Sequence, residues 1–496
     1  MKIQSCLPAG LLLVVATLAF AEDQPAAPSP QAALVQRAEA LSEEQIKQSH
    51  DLEGLSKLGQ IYGAQNDMPR LIWVLQRTSE LLPNSGDLKL QLAMAYARID
   101  DKTRAYDTLM RMQMQGFGYD IAKDPRFEPI HGTKVWDYIV ANLEVNAKPF
   151  GEGKPAFELP RGDHLFDSLA WDGKRGRWLV GSRREGGVRL ADETGKLADF
   201  LAADAAKGPW QTDALAVDAA HDRLYVASSS TPLFNGFNAD NAGKSALFEY
   251  ELASGKLRHS YAVPGGAQAL SALVAGPQGE LYAADGARRT VFKLDNGALV
   301  PILSNPKLTG ISALALSGDG RTLYLADFAL GIFGFDLAKT AAFELAYNRE
   351  QLVLGGIVDM HWYDGHLVVV EDGMVPKRVM RLKLSADGRS VEGAMPLDVA
   401  QPAFAALGRG AVAGDKLYFF ANRQDDLYDA HGVLTDATAL QPTRVFRSNL
   451  RFAWGQSGVG RGVMPVAPGK PGAIGNKAPG AKAGEGKGEE KGEEKH

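Results

Sequence analysis

Cysteine is all but missing from this chain: among 496 residues the only thiol is Cys6. It falls inside an N-terminal stretch patterned like a secretory signal peptide, with Met1-Lys2 as the charged start, an apolar run from Leu11 and an Ala19-Phe20-Ala21 cleavage pattern. Cleavage before Glu22 is expected. Cys6 precedes the apolar run, whereas a lipid-anchoring cysteine would follow it. The processed chain would then hold no cysteine, which excludes disulfides, thiolate zinc sites and cysteine nucleophiles together.

Long apolar runs are missing too. After the signal no stretch reaches the roughly 18 consecutive apolar residues that a membrane helix needs, so no membrane span is expected. No excess of either charge stands out: 54 Lys and Arg face 59 Asp and Glu, a formal net of -5. That balance lacks the basic footprint of a nucleic-acid binder, and nucleic acid is not expected as a partner. The expected location is outside the cytoplasm, periplasmic or extracellular.

What is present divides the chain by pattern. Residues 1–21 read as the signal and 22–31, rich in Ala, Pro and acidic residues, as a flexible leader. From 32 to 147 the periodicity is helical. Leu58, Gly59, Tyr62 and Leu75 recur as Leu92, Ala93, Tyr96 and Leu109 at a constant offset of 34 residues. With Pro83 closing the first unit and Ala105 at a small-residue position, this resembles the tetratricopeptide repeat, a helix pair stacked on its neighbour. The resemblance implies a groove for a protein or peptide partner. One helix over about 31–49 and another containing Val135-Trp136-Asp137-Tyr138-Ile139 are expected to cap the two ends.

Lys148-Pro149-Phe150-Gly151 opens a Pro/Gly-rich linker over 148–156. Over 157–454 a strand motif then recurs about every 40 to 60 residues, the spacing of four-stranded propeller blades. Its second strands are Trp178-Leu179-Val180-Gly181, Leu224-Tyr225-Val226-Ala227, Leu281-Tyr282-Ala283-Ala284, Leu323-Tyr324-Leu325-Ala326, Leu367-Val368-Val369-Val370 and Leu417-Tyr418-Phe419-Phe420. The expected fold class is therefore multidomain α and β: a helical domain followed by an all-β six-bladed propeller. Phe157-Glu158-Leu159-Pro160 is available to complete the last blade. Residues 455–496 collapse to Gly, Ala, Pro, Lys and Glu, the composition of a disordered tail.

Equivalent positions in successive blades form rings at one mouth of a propeller. Before strand one the ring reads Asp167, Asp213, Ser271, Ser312, Val358 and Ala405, with Asp359 beside Val358. After strand two it reads Ser182, Ser228, Asp285, Asp327 and Glu371, with Asn422 one step late. Asp167, Asp213, Ser182, Ser228, Asn422 and the nearby Arg183 and Arg423 are the candidate ligand-binding residues. Asp167, Asp285, Asp327, Asp359 and Glu371 are the candidate metal ligands, since converging carboxylates and hydroxyls suit a hard cation such as calcium. The plainer alternative is that an Asp after a strand bonds the amides of its own turn.

Asp319-Gly320-Arg321-Thr322-Leu323-Tyr324 and Asp372-Gly373-Met374-Val375-Pro376-Lys377-Arg378, with the blade motif, make this region similar to the SMP-30/gluconolactonase propellers. That resemblance implies calcium as a cofactor and a lactonase or esterase activity. The chain departs from it at Phe166-Asp167-Ser168, Leu270-Ser271-Ala272 and Ile311-Ser312-Ala313. Two readings follow: an exported binding protein that takes a small ligand or ion at the propeller mouth, or a divalent-metal-dependent hydrolase. No catalytic residue is assigned. His361 and His366 flank a hairpin turn, Arg184, Arg288, Arg289 and Arg409 lie near the same mouth, and an insertion, Thr231 to Asn238, carries two phenylalanines suited to a lid or to packing.

Overall fold

The computed structural model describes residues 38–266 and 269–453. The signal, the leader and the C-terminal tail lie outside them. The chain divides into two compact units, Met1–Val74 and Leu75–His496, and each is taken by itself.

In the first unit Ser42 starts helix α1 (Glu43–Gln48) with a reciprocal capping box to Gln45. The single helix expected over 31–49 is therefore broken, because Ser42 is extended and its side chain captures an amide that a continuous helix would have used. Helix α2 (Leu52–Ala64) follows, capped by Asp51. It buries Leu55 and Tyr62, and the Tyr62 hydroxyl donates to the Ala38 carbonyl at 2.7 Å. Helix α3 (Met68–Leu81) begins in this unit and ends in the next.

The second unit opens with α4 (Gly86–Arg98), α5 (Lys102–Met114) and α6 (Lys134–Asn146), capped by Ser85, Asp101 and Thr133. Helix α4 starts 34 residues after α2, and α5 the same distance after α3, as the sequence period requires. Small residues set the contact between α4 and α5: Ala93 and Ala105 are fully buried, with Tyr96 and Leu109 filling the space beside them.

Six antiparallel sheets follow, five of four strands and one of five, with strands in sequence order or added from elsewhere in the chain. Blade one runs from Phe166–Asp172 to Leu197–Leu201, blade two from Gln211–Asp218 to Leu257–Ala262 and blade three from Ala272–Ala275 to Ala298–Ser304. Blade four runs from Ile311–Leu316 to Ala341–Glu344, and blade five from Ile357–Tyr363 to Val391–Val399. Blade six takes Gly410–Ala413, Lys416–Phe420 and Thr443–Asn449, and Lys154–Leu159 adds its outer strand, as expected from Phe157-Glu158-Leu159. Innermost strands neighbour one another around the whole ring, and Gly410–Ala413 meets Phe166–Asp172 to close it.

The expected linker over 148–156 is instead part of the sheets. Phe150–Gly151 pairs with Val391–Val399 as a fifth strand on blade five, and Lys154 already belongs to blade six. Gly151 permits this at φ +112, where a Cβ would collide with the Leu397 carbonyl and the Asp398 carboxylate.

The core lies between blades. Tyr225, Leu247, Leu281 and Phe292 pack between blades two and three, and Phe419 and Phe446 face Val368 and Val370 between blades five and six. Each large apolar side chain so buried contributes about 1.5–3 kcal/mol, which is how a chain poor in thiols holds its ring.

Within the same unit the helices dock on loops of blades four and five. Gly118 N–H donates to Val375 O at 2.8 Å, Gln115 Nε2 to Arg349 O at 2.6 Å and Asn84 Nδ2 to Ala329 O at 3.2 Å. Arg378, buried in blade five, donates to Gln115 O at 3.2 Å. These loops open on the mouth that carries the two rings, so the helices flank that mouth on the side of blades four and five.

Candidate functional site at the propeller mouth

The ring before strand one is made by β-bulges. In blades one, two, four and five the pairing of strands one and two skips one residue, and the skipped residues are Asp167, Asp213, Ser312 and Val358. A bulge leaves its extra residue unpaired and re-aims its side chain, which is how one strand position is turned out of the ladder in blade after blade. Blade six departs from the sequence alignment: Ala405 N–H bonds Ala421 O well outside the inner strand, and the register Gly410↔Phe419 puts Arg409 next to the mouth.

That register explains the central feature of the site. Arg409 occupies the position held by Ser168, Ala214, Ala272 and Ala313 in blades one to four and by Asp359 in blade five. Among neighbours this small, a long side chain can cross the ring. Its Nη1 donates to Asp167 Oδ2 at 3.0 Å and to Asp213 O at 2.8 Å, and its Nη2 donates to Ser271 O at 2.7 Å. One guanidinium from blade six thus ties blades one, two and three.

A network of opposite charges surrounds it. Arg423 lies 3.2 Å from Asp425, 3.7 Å from Asp372 and 3.9 Å from Asp167, and Arg183 lies 3.4 Å from Asp425. Asp372 is also held by Lys377 at 2.8 Å and by the Leu407 amide at 2.7 Å. Burial pushes the Asp425 carboxyl up, and the neighbouring Asp167 charge adds to the effect against Arg423 and Arg183. Asp213 is raised by burial as well, opposed by Arg183. Its Oδ1 accepts from Gln211 Nε2 at 2.6 Å, while Oδ2 has no hydrogen-bond partner.

The ring after strand two has a different job. Ser182 bonds the His164 carbonyl and accepts from Glu185 N, and Ser228 accepts from Trp210 N at 2.7 Å. Asp285 accepts from Arg288 N at 2.9 Å, and Asn422 holds Arg444 N and Pro442 O. Asp327 takes the amides of Thr309, Gly310, Ala329 and Leu330 and the Thr309 hydroxyl. Glu371 pairs directly across the ladder with Arg378, both out of solvent, and burial pushes its carboxyl up against the pull of that arginine. All six residues are buried, and each makes these bonds within its own blade or the loop leading into it.

This bears on the expected cation. Asp167 is spent on arginine and Asp327 on turn amides, while Asp285 gives one oxygen to the Arg288 amide and Glu371 one to Arg378, leaving Asp285 Oδ2 and Glu371 Oε1 buried without a hydrogen-bond partner. Asp359 bonds Gly410 N and His361 Nε2, each at 2.7 Å. Among the described residues no group of three or more His, Asp or Glu side chains stands close enough to hold a metal ion. Calcium needs about six to eight oxygens turned to one point, and the five proposed ligands do not fit it. His361 and His366 do not pair on a metal either, since His366 Nδ1 bonds the Asp364 carbonyl of its own turn at 2.6 Å.

What the mouth leaves open is a pocket of about 280 Å3 between the loops of blades six, one and two. Arg183, Asp425, Tyr428, Thr231 and Leu165 line it, and Arg183 Nε is buried without a partner. Its wall is held by Arg184, which pairs with Asp163 at 2.7 Å and donates to Leu233 O at 2.6 Å and Gly432 O at 2.9 Å. The Tyr428 hydroxyl completes that wall on Asp163 at 2.7 Å. The insertion divides its phenylalanines: Phe234 is buried in the core between blades one and two, and only Phe237 is exposed, at 39%. Asp425 and Tyr428 escaped the sequence reading, and Asp372 entered it only within the Asp372-Gly373 motif and not as a site residue. Asp425 follows Arg423 by two residues in a loop with no counterpart in other blades, so ring alignment gives it no signal.

The chain matches no family model and no curated protein. Among solved structures, the PQQ-bound aldose sugar dehydrogenase of Streptomyces coelicolor is 16% identical, covering 61% of this chain and 99% of its own, with a TM-score of 0.39. Hydrazine synthase of Kuenenia stuttgartiensis is 16% identical over 53% of this chain and 75% of its own, at 0.38. A chain of the nidogen/laminin complex is 13% identical over 48% and 81%, at 0.37. Likenesses at this level carry no argument about what this chain does.

Proposed function

We propose that this chain is an exported binding protein whose propeller mouth takes a small polar ligand in the pocket walled by Arg183, Asp425, Thr231 and Tyr428. The observation that carries the reading is the state of Arg183: its guanidinium reaches a preformed pocket with one buried donor unspent, and a buried donor left without a partner is costly. A ligand carboxylate, phosphate or hydroxyl would satisfy it. The metal-dependent lactonase reading has no support from the ring, where among the described residues no three His, Asp or Glu side chains converge as a metal ion requires.

The helical part supports a second contact. Met114 and Tyr138 stand 47% and 56% exposed on α5 and α6, with Met110 and Val145 also exposed on the same two helices. Such apolar side chains, on helices that keep a 34-residue period, suit a protein or peptide partner of the kind tetratricopeptide-like stacks take.

The test is a thermal-shift screen of small carboxylates, phosphates and polyols on the full chain, repeated on Arg183→Gln. The expected result is a ligand that raises the melting temperature and binds at least about tenfold more weakly to the variant, a loss of about 1.4 kcal/mol. A ligand bound equally well by Arg183→Gln would sink the pocket assignment. For the helices, capture of a partner should be lost in Met114→Asp/Tyr138→Asp; unchanged capture contradicts that contact.

A further inference from the structure

Beneath Arg409 the innermost strands enclose a channel of about 510 Å3, within the range of small-molecule sites. Its walls are layered. Leu169, Leu215, Leu273, Leu314 and Met360 occupy equivalent register positions in five blades at one level, where Leu215 and Leu273 are half-buried at its wall and Leu169, Leu314 and Met360 are packed into the core between blades behind it. Two residues further along their strands, Val217, Leu316 and Trp362 line it at the next.

Polar groups sit at the two ends. At the end away from the mouth they are spent on turns: Asp218 holds His221 N at 3.1 Å and its ring at 2.7 Å, and Ser317 holds Asp319 at 2.6 Å. At the Arg409 end Ser168 remains available, and His361 reaches toward that end from a strand position between the two apolar levels. Ser168 lines the channel at 1% exposure, and its hydroxyl has no partner. His361 also lines it and gives Nε2 to Asp359, leaving the other ring nitrogen uncommitted.

From this layering we propose that the channel is a second binding site, for an elongated, uncharged amphipathic molecule. Its hydroxyl head would lie at Ser168 and His361 and its apolar body along the leucine levels. Arg409 spans the mouth end, so the ligand enters from the opposite face, past Trp362 and Val217. An anionic head is disfavoured by Asp359, and Arg409 already gives three hydrogen bonds to the protein. About five residues of strand separate the two ends, a depth of roughly 16 Å. The site is distinct from the Arg183 pocket, and neither depends on the other.

The experiment titrates n-alkanols of increasing length into the full chain, following tryptophan fluorescence with Trp362→Phe as the control for the reporting residue. Affinity should rise about fourfold per methylene, the equivalent of ~0.8 kcal/mol, until the channel is filled and then level off. Ser168→Ala should weaken the alkanols relative to chains with no hydroxyl, and Val217→Trp should abolish binding while the melting temperature stays within a few degrees of wild type. Arg183→Gln should leave alkanol binding unchanged, which separates this site from the mouth pocket. Absence of saturable binding, affinity that does not depend on chain length, or binding that survives Val217→Trp overturns the proposal. So does a channel that admits water only.

Discussion

Arg409 of blade six and Asp167 of blade one meet at 3.0 Å across the propeller mouth, and the same guanidinium holds the Asp213 and Ser271 carbonyls. The contact joins the last blade to the first three where the ring has no covalent closure. A carboxylate that the sequence offers to a cation is here the counter-ion of an arginine.

Removing Arg409 should therefore cost more than a surface pair. Arg409→Met leaves Asp167 largely buried without its closest counter-ion, and we expect a loss of about 2–4 kcal/mol in denaturant unfolding. Arg409→Lys should recover only part of it, because an ammonium lacks the planar fork that serves three acceptors at once. A loss below about 0.5 kcal/mol for Arg409→Met contradicts the clamp.

Glu371 and Arg378 give a second measurement. Either Glu371→Gln or Arg378→Met alone should destabilise by about 3–5 kcal/mol, since each strands a partner out of solvent, whereas Glu371→Leu/Arg378→Met should cost less than either. Arg378 also donates to Val353 O and Gln115 O. The Arg378 single variant should accordingly raise hydrogen exchange in the loop that starts at Gln115.

Asp398 sets a pH dependence. It is buried between the Gly153 amide and the Ser448 hydroxyl, and burial raises its pKa to about 7. A raised carboxyl pKa means that the folded state holds the proton more tightly. Its stabilising effect is full below the unfolded value near 4, falls as the pH climbs to about 7 and is flat above. Asp398→Asn should match wild type near pH 4 and exceed it by about 4 kcal/mol at pH 8, the equivalent of a pKa raised by about three units. Equal stability of the two proteins at pH 8 would contradict the assignment.

Asp327 should behave as a turn anchor. Asp327→Ala leaves four loop amides and the Thr309 hydroxyl without their acceptor, and we expect a loss of about 3 kcal/mol that added calcium does not alter. Restoration of stability by calcium in wild type but not in the variant would point to a ligand role instead.

The blades were legible because each repeats the same two apolar runs around a turn, and the outer strand at Phe157-Glu158-Leu159 because it has the same alternation without a partner nearby. The rings were legible as positions, down to the bulged Asp167 and Asp213. Their chemistry was not, because it depends on which side chain arrives from another blade: Arg409 is separated from Asp167 by nearly the whole ring. Blade six slipped in the alignment because Gly410 stands where blades one to four carry leucine. The linker hid its strands because Gly151 and Gly153 there serve close approach to Asp398 rather than flexibility. Docking of the helices rests on backbone carbonyls such as Val375 O and Arg349 O, which no residue type advertises.

The most direct measurement is calorimetric titration of calcium into the full chain at pH 7.5 in the absence of chelator. If the mouth carboxylates are clamps, no saturable heat should appear below about 1 mM, the weak end of calcium sites, and the melting temperature should not move. Stoichiometric binding in the micromolar range, lost in both Asp327→Asn and Asp359→Asn, would contradict the account.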